Sequence, residues 1–408
     1  LAGCSSSKRI LQKDTLKFLS SVSYENQFTG LLVLDAEKKD TLLNFNGKRY
    51  FTPASVTKIF TLFAASELLP EYIPSATYLA INDNLYIEGN GDPTQLHFYY
   101  KDSTLLSLMA DYEHINVHLN NFTDDVLGQG WSWDDYQYYY QVEKGALPLY
   151  GNVLTLSDAN GVKAVPQYFR DSVFRKGDTN RELVKNVFTY GSTQKDTLEI
   201  PFKTSSELTK NLLQQASGKE ISLISEMPSG IKQTLYSVPT DSVLKRMMHQ
   251  SDNFLAEQLM VLASSTLSDS LDVRLAIKHI LENQLKNLKQ KPRWVDGSGL
   301  SRYNLFTPES VVQVLDKMYA SIPQERLFDF FPAGGVSGTL EDWYLGDPEP
   351  YVYAKTGTLG NTHNLSGYLL TKSGKTLIFS FMNNHFRRSS VEVKENMQYL
   401  LEQLRDNY

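Results

Sequence analysis

The sequence predicts an α+β fold, an antiparallel sheet covered by helices, with the chain interrupted by a β-rich insertion. Three observations predict it. Helical apolar periodicity occurs in separated blocks, at 55–69 and again at 241–248, 253–263, 271–288 and 308–320. The stretch 75–238 between them changes character, with Tyr, Asn, Asp, Gly and short β-like runs replacing long helical periods. Near the end, 351–358, 364–371 and 376–383 read as strands, the last two joined by Lys372-Ser373-Gly374-Lys375 as a tight hairpin turn.

Taken in order, residues 10–22 place Ile10, Leu11, Leu16, Phe18, Leu19 and Val22 in an amphipathic helical pattern. Residues 28–34 are short, apolar and β-rich, and 41–45 is their partner before the turn dipeptide Asn46-Gly47. Pro53 blocks continued strand pairing, and 55–69 is the best-formed helix of the first third. Within the insertion, 78–88 predicts strand and turn, 153–156 with 162–165 a strand pair, and 198–202 one more strand. The tyrosines Tyr136, Tyr138, Tyr139 and Tyr140 are expected to pack inside this module. Residues 390–404 close the chain as a helix.

The 408 residues, 41% apolar and 21% charged, make an ordinary globular composition long enough for two or three folding units. A net charge of −6 leaves no basic footprint for a nucleic-acid backbone, so nucleic acid is not an expected partner. Of the 7 histidines only His114 and His118 sit four apart, in a β-like segment that lacks the glutamate of a zinc-protease helix, and no metal site is expected. No stretch offers the ~18 consecutive apolar residues of a spanning helix. The single cysteine, Cys4, excludes an internal disulfide.

The position of that cysteine matters more than its number. Leu1-Ala2-Gly3-Cys4, followed by Ser5-Ser6-Ser7-Lys8, resembles the processing box of a bacterial lipoprotein. The resemblance implies a lipid anchor on Cys4, multiply acylated because stable anchoring needs more than one chain, with residues 1–9 as a tether.

Three motifs carry chemistry: Ser55-Val56-Thr57-Lys58, Ser251-Asp252-Asn253 and Lys355-Thr356-Gly357. Ser-x-x-Lys alone is weak, since it also begins at Ser5, Ser192, Ser229 and Ser242. Only Ser55 opens a long apolar helix. There a serine and a lysine three residues apart share a face, and the unpaired N–H groups and positive dipole end favour developing negative charge. Taken singly, the motifs read equally as an N-cap serine, a capping cluster and a lysine beside a bulge. Lys355 and Gly357 alternate onto one face of a strand, where the glycine is expected to leave room for a substrate lying along the edge.

Together, in this order, the motifs resemble those of the D-Ala-D-Ala carboxypeptidase and endopeptidase family of low-molecular-mass penicillin-binding proteins, class C type (peptidase family S13). Asp296-Gly297-Ser298-Gly299-Leu300-Ser301-Arg302, Pro332-Ala333-Gly334-Gly335 and Leu365-Ser366-Gly367-Tyr368 extend the likeness. So do Gly89-Asn90-Gly91-Asp92-Pro93 and the tryptophan-acid segment Gly130-Trp131-Ser132-Trp133-Asp134-Asp135 of the insertion. The likeness is thin through 160–227. It implies a penicillin-binding-protein/β-lactamase-like transpeptidase domain over 10–75 and 238–408, with 76–237 as an insertion of one or two small subdomains.

The resemblance also implies roles. Ser55 is the nucleophile and Lys58 its base, a role that burial beside a second cation, Lys355, favours by keeping an amine neutral. Ser251 relays a proton to the leaving group, Asn253 holds the substrate amide, and Lys355 and Thr356 bind the terminal carboxylate. The amides of Ser55 and Thr358 form the oxyanion hole. Asp134 or Asp135, of which Asp135 is the better match to the family's acid, reads an amino group on the stem peptide, or is a turn carboxylate beside packed tryptophans. No cofactor is implied. The expected partners are peptidoglycan stem peptides and β-lactams, on the periplasmic side of a bacterial cell envelope.

Two rivals share parts of this pattern. A β-lactamase has the same motifs, but the distance from Ser55 to Ser251 is far longer than a compact class A enzyme places there. A catalytically silent cell-wall-binding lipoprotein would lack a catalytic residue, and none is missing. The motifs do not separate hydrolysis from transpeptidation; family resemblance favours hydrolysis.

Overall fold

The computed structural model describes residues 2–157, 161–175, 179–191 and 197–408, with side chains from residue 9 onward. The chain divides into two compact units, Leu1–Phe63 with Leu244–Asp252 and His279–Tyr408, and Ala64–Val243 with Asn253–Lys278.

The first unit is built on a five-stranded sheet in the order Val352–Leu359, Thr362–Leu370, Thr376–Asn384, Phe28–Asp35, Thr41–Phe45, antiparallel throughout. All five strands were expected. Turn chemistry ends them cleanly: Gly374 takes φ +81° in the hairpin and Asn46 takes φ +55° after Thr41–Phe45. One sheet face packs against the helices Ala2–Leu19 and Ser390–Asn407 through Leu11, Leu19, Val393, Met397, Leu400, Leu401 and Leu404. The helix Pro308–Ser321 starts at a reciprocal cap, with Ser310 N–H donating to Thr307 Oγ1 at 3.0 Å and Thr307 N–H to Ser310 Oγ at 3.1 Å. Phe60 packs edge-on to Trp294, ring centroids 5.5 Å apart, and against Phe306 at 4.4 Å.

The second unit carries a mixed sheet in the order Ile221–Ile224, His114–His118, Asn84–Gly89, Tyr72–Ile81, Gln233–Pro239, and a smaller one in the order Leu198–Pro201, Val153–Ser157, Lys163–Val165. Two helices absent from the β-rich expectation, Thr104–Ala110 and Ser206–Ser217, belong to it. The second is capped at both ends, by the Ser205 hydroxyl accepting from Leu208 N–H and by Gly218 at φ 71°. Gly89-Asn90-Gly91-Asp92-Pro93 forms a buried corner: Asp92 accepts from Thr94 N–H (2.8 Å), Thr94 Oγ1 (2.7 Å) and Ser237 Oγ (2.8 Å). The helix predicted over 271–288 spans only Val273–Glu282. Among the described residues no helix is long and apolar enough to cross a membrane.

Candidate active site

Ser55 does not open the α-helix itself. It lies in a 3-10 turn, Ala54–Thr57, that runs directly into the helix Lys58–Leu68. At three residues per turn, positions i and i+3 eclipse, so the tighter turn sets Ser55 and Lys58 one above the other more closely than an α-helix would. Lys58 Nζ donates to Ser55 Oγ at 3.1 Å. The turn begins at Ala54, held at φ +49°, a region that costs a residue with a Cβ energy unless its surroundings impose it.

Those surroundings are visible. The block from Asp296 to Asn304 folds around one buried carboxylate: Asp296 accepts from Gly299 N–H (2.9 Å), Ser301 N–H (2.7 Å) and Asn304 Nδ2 (2.7 Å). The Thr61 hydroxyl donates to Gly297 O at 2.6 Å, and Ser298 O accepts from Lys58 Nζ at 2.8 Å. The lysine amine thus has a fixed carbonyl partner as well as the serine. Across the turn, Asn364 Nδ2 donates to Thr52 O and Pro53 O, both at 2.9 Å, while its Oδ1 accepts from Asn383 N–H at 3.0 Å. Asn384 Oδ1 accepts from Thr52 N–H at 2.7 Å. Sequence reasoning noted the Asp-Gly-Ser-Gly block without a role for it and missed Asn364 and Asn384. Asp and Ser beside two glycines do signal a tight turn, whereas an asparagine inside an apolar strand signals only that something must satisfy its amide.

Lys355 is fully buried. Its Nζ donates to Ser251 Oγ at 2.9 Å and to Thr356 O at 2.8 Å. Burial pushes the pKa of its amine well below the ordinary value, and the charge of Lys58 pushes the same way. Ser251 sits past the end of the helix Thr240–His249 at φ +54°, so it is held, like Ala54, in a left-handed conformation. The Thr356 hydroxyl donates to Thr339 Oγ1 at 2.8 Å. Ser55, Lys58, Ser251, Lys355 and Thr356 are therefore gathered within the first unit.

Gly357 serves a different purpose from the one expected. A Cβ there would stand 2.4 Å from Pro53 O and 3.1 Å from Ser55 N, so the space it leaves is filled by the backbone of the serine turn. The missing side chain lets the strand Val352–Leu359 lie directly against that turn. Thr358 points the other way, exposed, with its hydroxyl 2.8 Å from His363 Nδ1. The strand is the sheet edge; its outer side is bridged at Tyr353 by Ala333, and among the described residues no named strand pairs with that side.

The two remaining candidates with described side chains belong to the second unit. Asn253 Nδ2 donates to Tyr140 O at 2.9 Å. Asp135, in the 3-10 turn Trp133–Gln137, accepts from the Tyr140 hydroxyl at 3.0 Å. Desolvation and that carboxylate together push the Tyr140 phenol up to about 12. The tyrosines are only in part the interior packing expected: Tyr136 and Tyr140 are half-buried, whereas Tyr138 and Tyr139 are exposed, Tyr139 by 66%. The Cys4 side chain lies outside the described residues. Among the described residues no group of three or more His, Cys, Asp or Glu could hold a metal ion.

D-alanyl-D-alanine carboxypeptidase DacB of Haemophilus influenzae is 25% identical over 94% of this chain and 91% of its own. The D-alanyl-D-alanine carboxypeptidase of an Actinomadura species is 24% identical over 92% of this chain and 81% of its own. The crystal structure of penicillin binding protein 4 (dacB) from Haemophilus influenzae shares the fold, with a TM-score of 0.76 at 22% identity over 97% of this chain and 99% of that one. Its complex with a β-lactam superposes with a TM-score of 0.71 at 21% identity, over 97% of this chain and 99% of that one. The α+β fold of the penicillin-binding-protein type, expected from the sequence, is the fold found. Residues 13–168 and 203–407 match the model of the D-Ala-D-Ala carboxypeptidase 3 (S13) family, and the chain belongs to that family.

Proposed function

We propose that this protein is a serine-type D-alanyl-D-alanine carboxypeptidase and endopeptidase that cleaves peptidoglycan stem peptides through an acyl-enzyme on Ser55, and that β-lactams acylate the same serine. The observation that carries the reading is the pairing of two buried amines with two hydroxyls, Lys58 Nζ with Ser55 Oγ at 3.1 Å and Lys355 Nζ with Ser251 Oγ at 2.9 Å.

In this mechanism Lys58 accepts the Ser55 proton as Oγ attacks the carbonyl of the penultimate residue. The amides of Ser55 and Thr358 stabilise the oxyanion, each such donor typically lowering the barrier by roughly 3 kcal/mol. The C–N bond to the terminal D-alanine breaks, and Ser251 passes a proton to the leaving amine. Water then cleaves the ester. Lys355 and Thr356 bind the terminal carboxylate, and Asn253 holds the substrate amide. Asp135 reads an amino group on the stem-peptide side chain.

The segment 76–237 acts as an insertion in the catalytic domain 10–75 and 238–408, and a lipidated Cys4 tethers the enzyme through residues 1–9 to a membrane of the cell envelope, facing the periplasm. This part rests on Leu1-Ala2-Gly3-Cys4 and the polar run after it. Ser55→Ala should abolish covalent labelling by a fluorescent penicillin, and labelling that survived would refute the nucleophile. Slow release of the label marks a peptidase, rapid release a β-lactamase, and no labelling of the native chain a silent binding protein. Cys4→Ser should release the full-length protein from the membrane fraction.

A further inference from the structure

His363 is a buried titratable group that the mechanism above leaves unused. It is 2% exposed and lies directly opposite Thr358 in the antiparallel ladder between the strands Val352–Leu359 and Thr362–Leu370. Opposed residues in such a ladder present their side chains on one face, and here His363 Nδ1 lies 2.8 Å from Thr358 Oγ1. Burial, with smaller contributions from Lys394 and Lys355, pushes the ring down to about 3, so it is neutral at working pH. A neutral ring with Nδ1 unprotonated accepts the threonine hydroxyl.

The neighbouring pair in the same ladder explains what such a contact could do. Asn364 lies opposite Gly357, facing the other way, and its amide grips Thr52 O and Pro53 O beside the Ser55 turn. Two successive residues of one inner strand thus reach opposite faces of the sheet edge: Asn364 fixes the serine turn, and His363 fixes Thr358. An exposed threonine with its hydroxyl tied to a buried ring loses a freedom that it would otherwise keep at the end of an edge strand, beyond the bridge at Tyr353.

We propose that His363 is a positioning residue for acyl transfer, holding the Thr358 side chain and with it the segment of the edge strand whose amide serves the oxyanion. The proposal rests on the reading of Thr358 as an oxyanion donor. His363→Leu should lower kcat for a D-Ala-D-Ala peptide and the rate of penicillin acylation about tenfold, the size expected for losing one aligning hydrogen bond, with KM little changed. His363→Asn, which keeps an acceptor near the Nδ1 position, should recover most of the rate. In a Thr358→Val background His363→Leu should have no further effect.

An equal loss with or without the Thr358 hydroxyl, or an Asn variant as poor as Leu at matched melting temperature, would overturn the proposal and leave the ring a space filler. The underlying reading is tested separately by Thr358→Pro, which deletes the amide and which an edge strand tolerates where that N–H faces outward. Unimpaired acylation by that variant refutes the oxyanion role whatever the His363 variants do.

Discussion

A Cβ on Gly299 would stand 1.9 Å from the carbonyl oxygen of Ala54, the residue immediately before Ser55. Gly299 also occupies φ +84° and donates its amide to Asp296 at 2.9 Å. The loop that offers Ser298 O to Lys58 can approach the serine turn this closely only without a side chain. Gly299→Ala should therefore slow penicillin acylation by at least about tenfold and destabilise the fold by roughly 2–4 kcal/mol, combining strain with displaced backbone. Stopped-flow acylation and denaturant melts check both. An unchanged acylation rate would mean that the loop does not position Lys58.

Asn364 supports the turn from the opposite side. Asn364→Leu deletes the donor to Thr52 O and Pro53 O and the acceptor for Asn383 N–H, all within a buried strand. Leaving such groups without their partner costs about 1–3 kcal/mol each, less where a second donor remains. We expect loss of at least about 2 kcal/mol of stability and a larger relative loss of acylation than a core truncation of equal destabilisation, such as one at Phe379. Equal losses from the two variants would reduce Asn364 to a stability residue.

How these features relate to the sequence differs by kind. The five strands of the first sheet are legible as short apolar runs, and turns join Val352–Leu359 to Thr362–Leu370 to Thr376–Asn384 and Phe28–Asp35 to Thr41–Phe45, whereas the pairing of Phe28–Asp35 with Thr376–Asn384 is long-range. The three motifs are legible because their order is improbable. What the sequence hides is long-range contact and local ambiguity between elements. Gly357 reads as clearance for substrate until Pro53 is seen 2.4 Å from its absent Cβ. Ser55 reads as a helix start because a 3-10 turn and an α-helix share the i, i+3 pattern. Ser206–Ser217 lies between β-like runs, and its caps, Ser205 and Gly218, are residues that also make loops. Asn364 and His363 are two polar residues in a strand whose chemistry depends on partners more than three hundred positions away or across a turn.

Lys355 gives a pH dependence. Its folded pKa is lowered from the ordinary 10.5, first by burial and then by Lys58. Between the folded value and that of the unfolded chain, the unfolded state holds more protons, so stability rises with pH across this window. Below the folded pKa the full cost of burying a charged amine remains. Lys355→Met removes the titration, so the wild-type melting temperature should climb relative to that of the variant as pH is raised toward 10. Parallel melting profiles would show that the amine titrates as an exposed lysine does.

Arg181 links the second unit's core to the candidate selectivity turn. It is 3% exposed, with Nε donating to Pro201 O at 2.8 Å and Nη2 to Tyr136 O at 3.2 Å. The Tyr136 hydroxyl returns a bond to Arg181 O at 3.0 Å, and the guanidinium stands 5.0 Å from the Tyr136 ring centroid. Tyr136 is next to Asp135, so this lock sets where the carboxylate sits. If Asp135 reads an amino group, Asp135→Ala should reduce the preference for diaminopimelate-containing over otherwise identical uncharged peptides about tenfold, the value of a charged hydrogen bond. Arg181→Met should reduce the same ratio of kcat/KM values, because the acid remains but its support is gone. Hydrolysis of a simple thioester, measured in parallel, normalises for folded enzyme. A ratio unchanged in Asp135→Ala would make the acid a turn carboxylate and nothing more. A ratio lost there but kept in Arg181→Met would place the support of the turn elsewhere, in Tyr140 and its bond to Asp135.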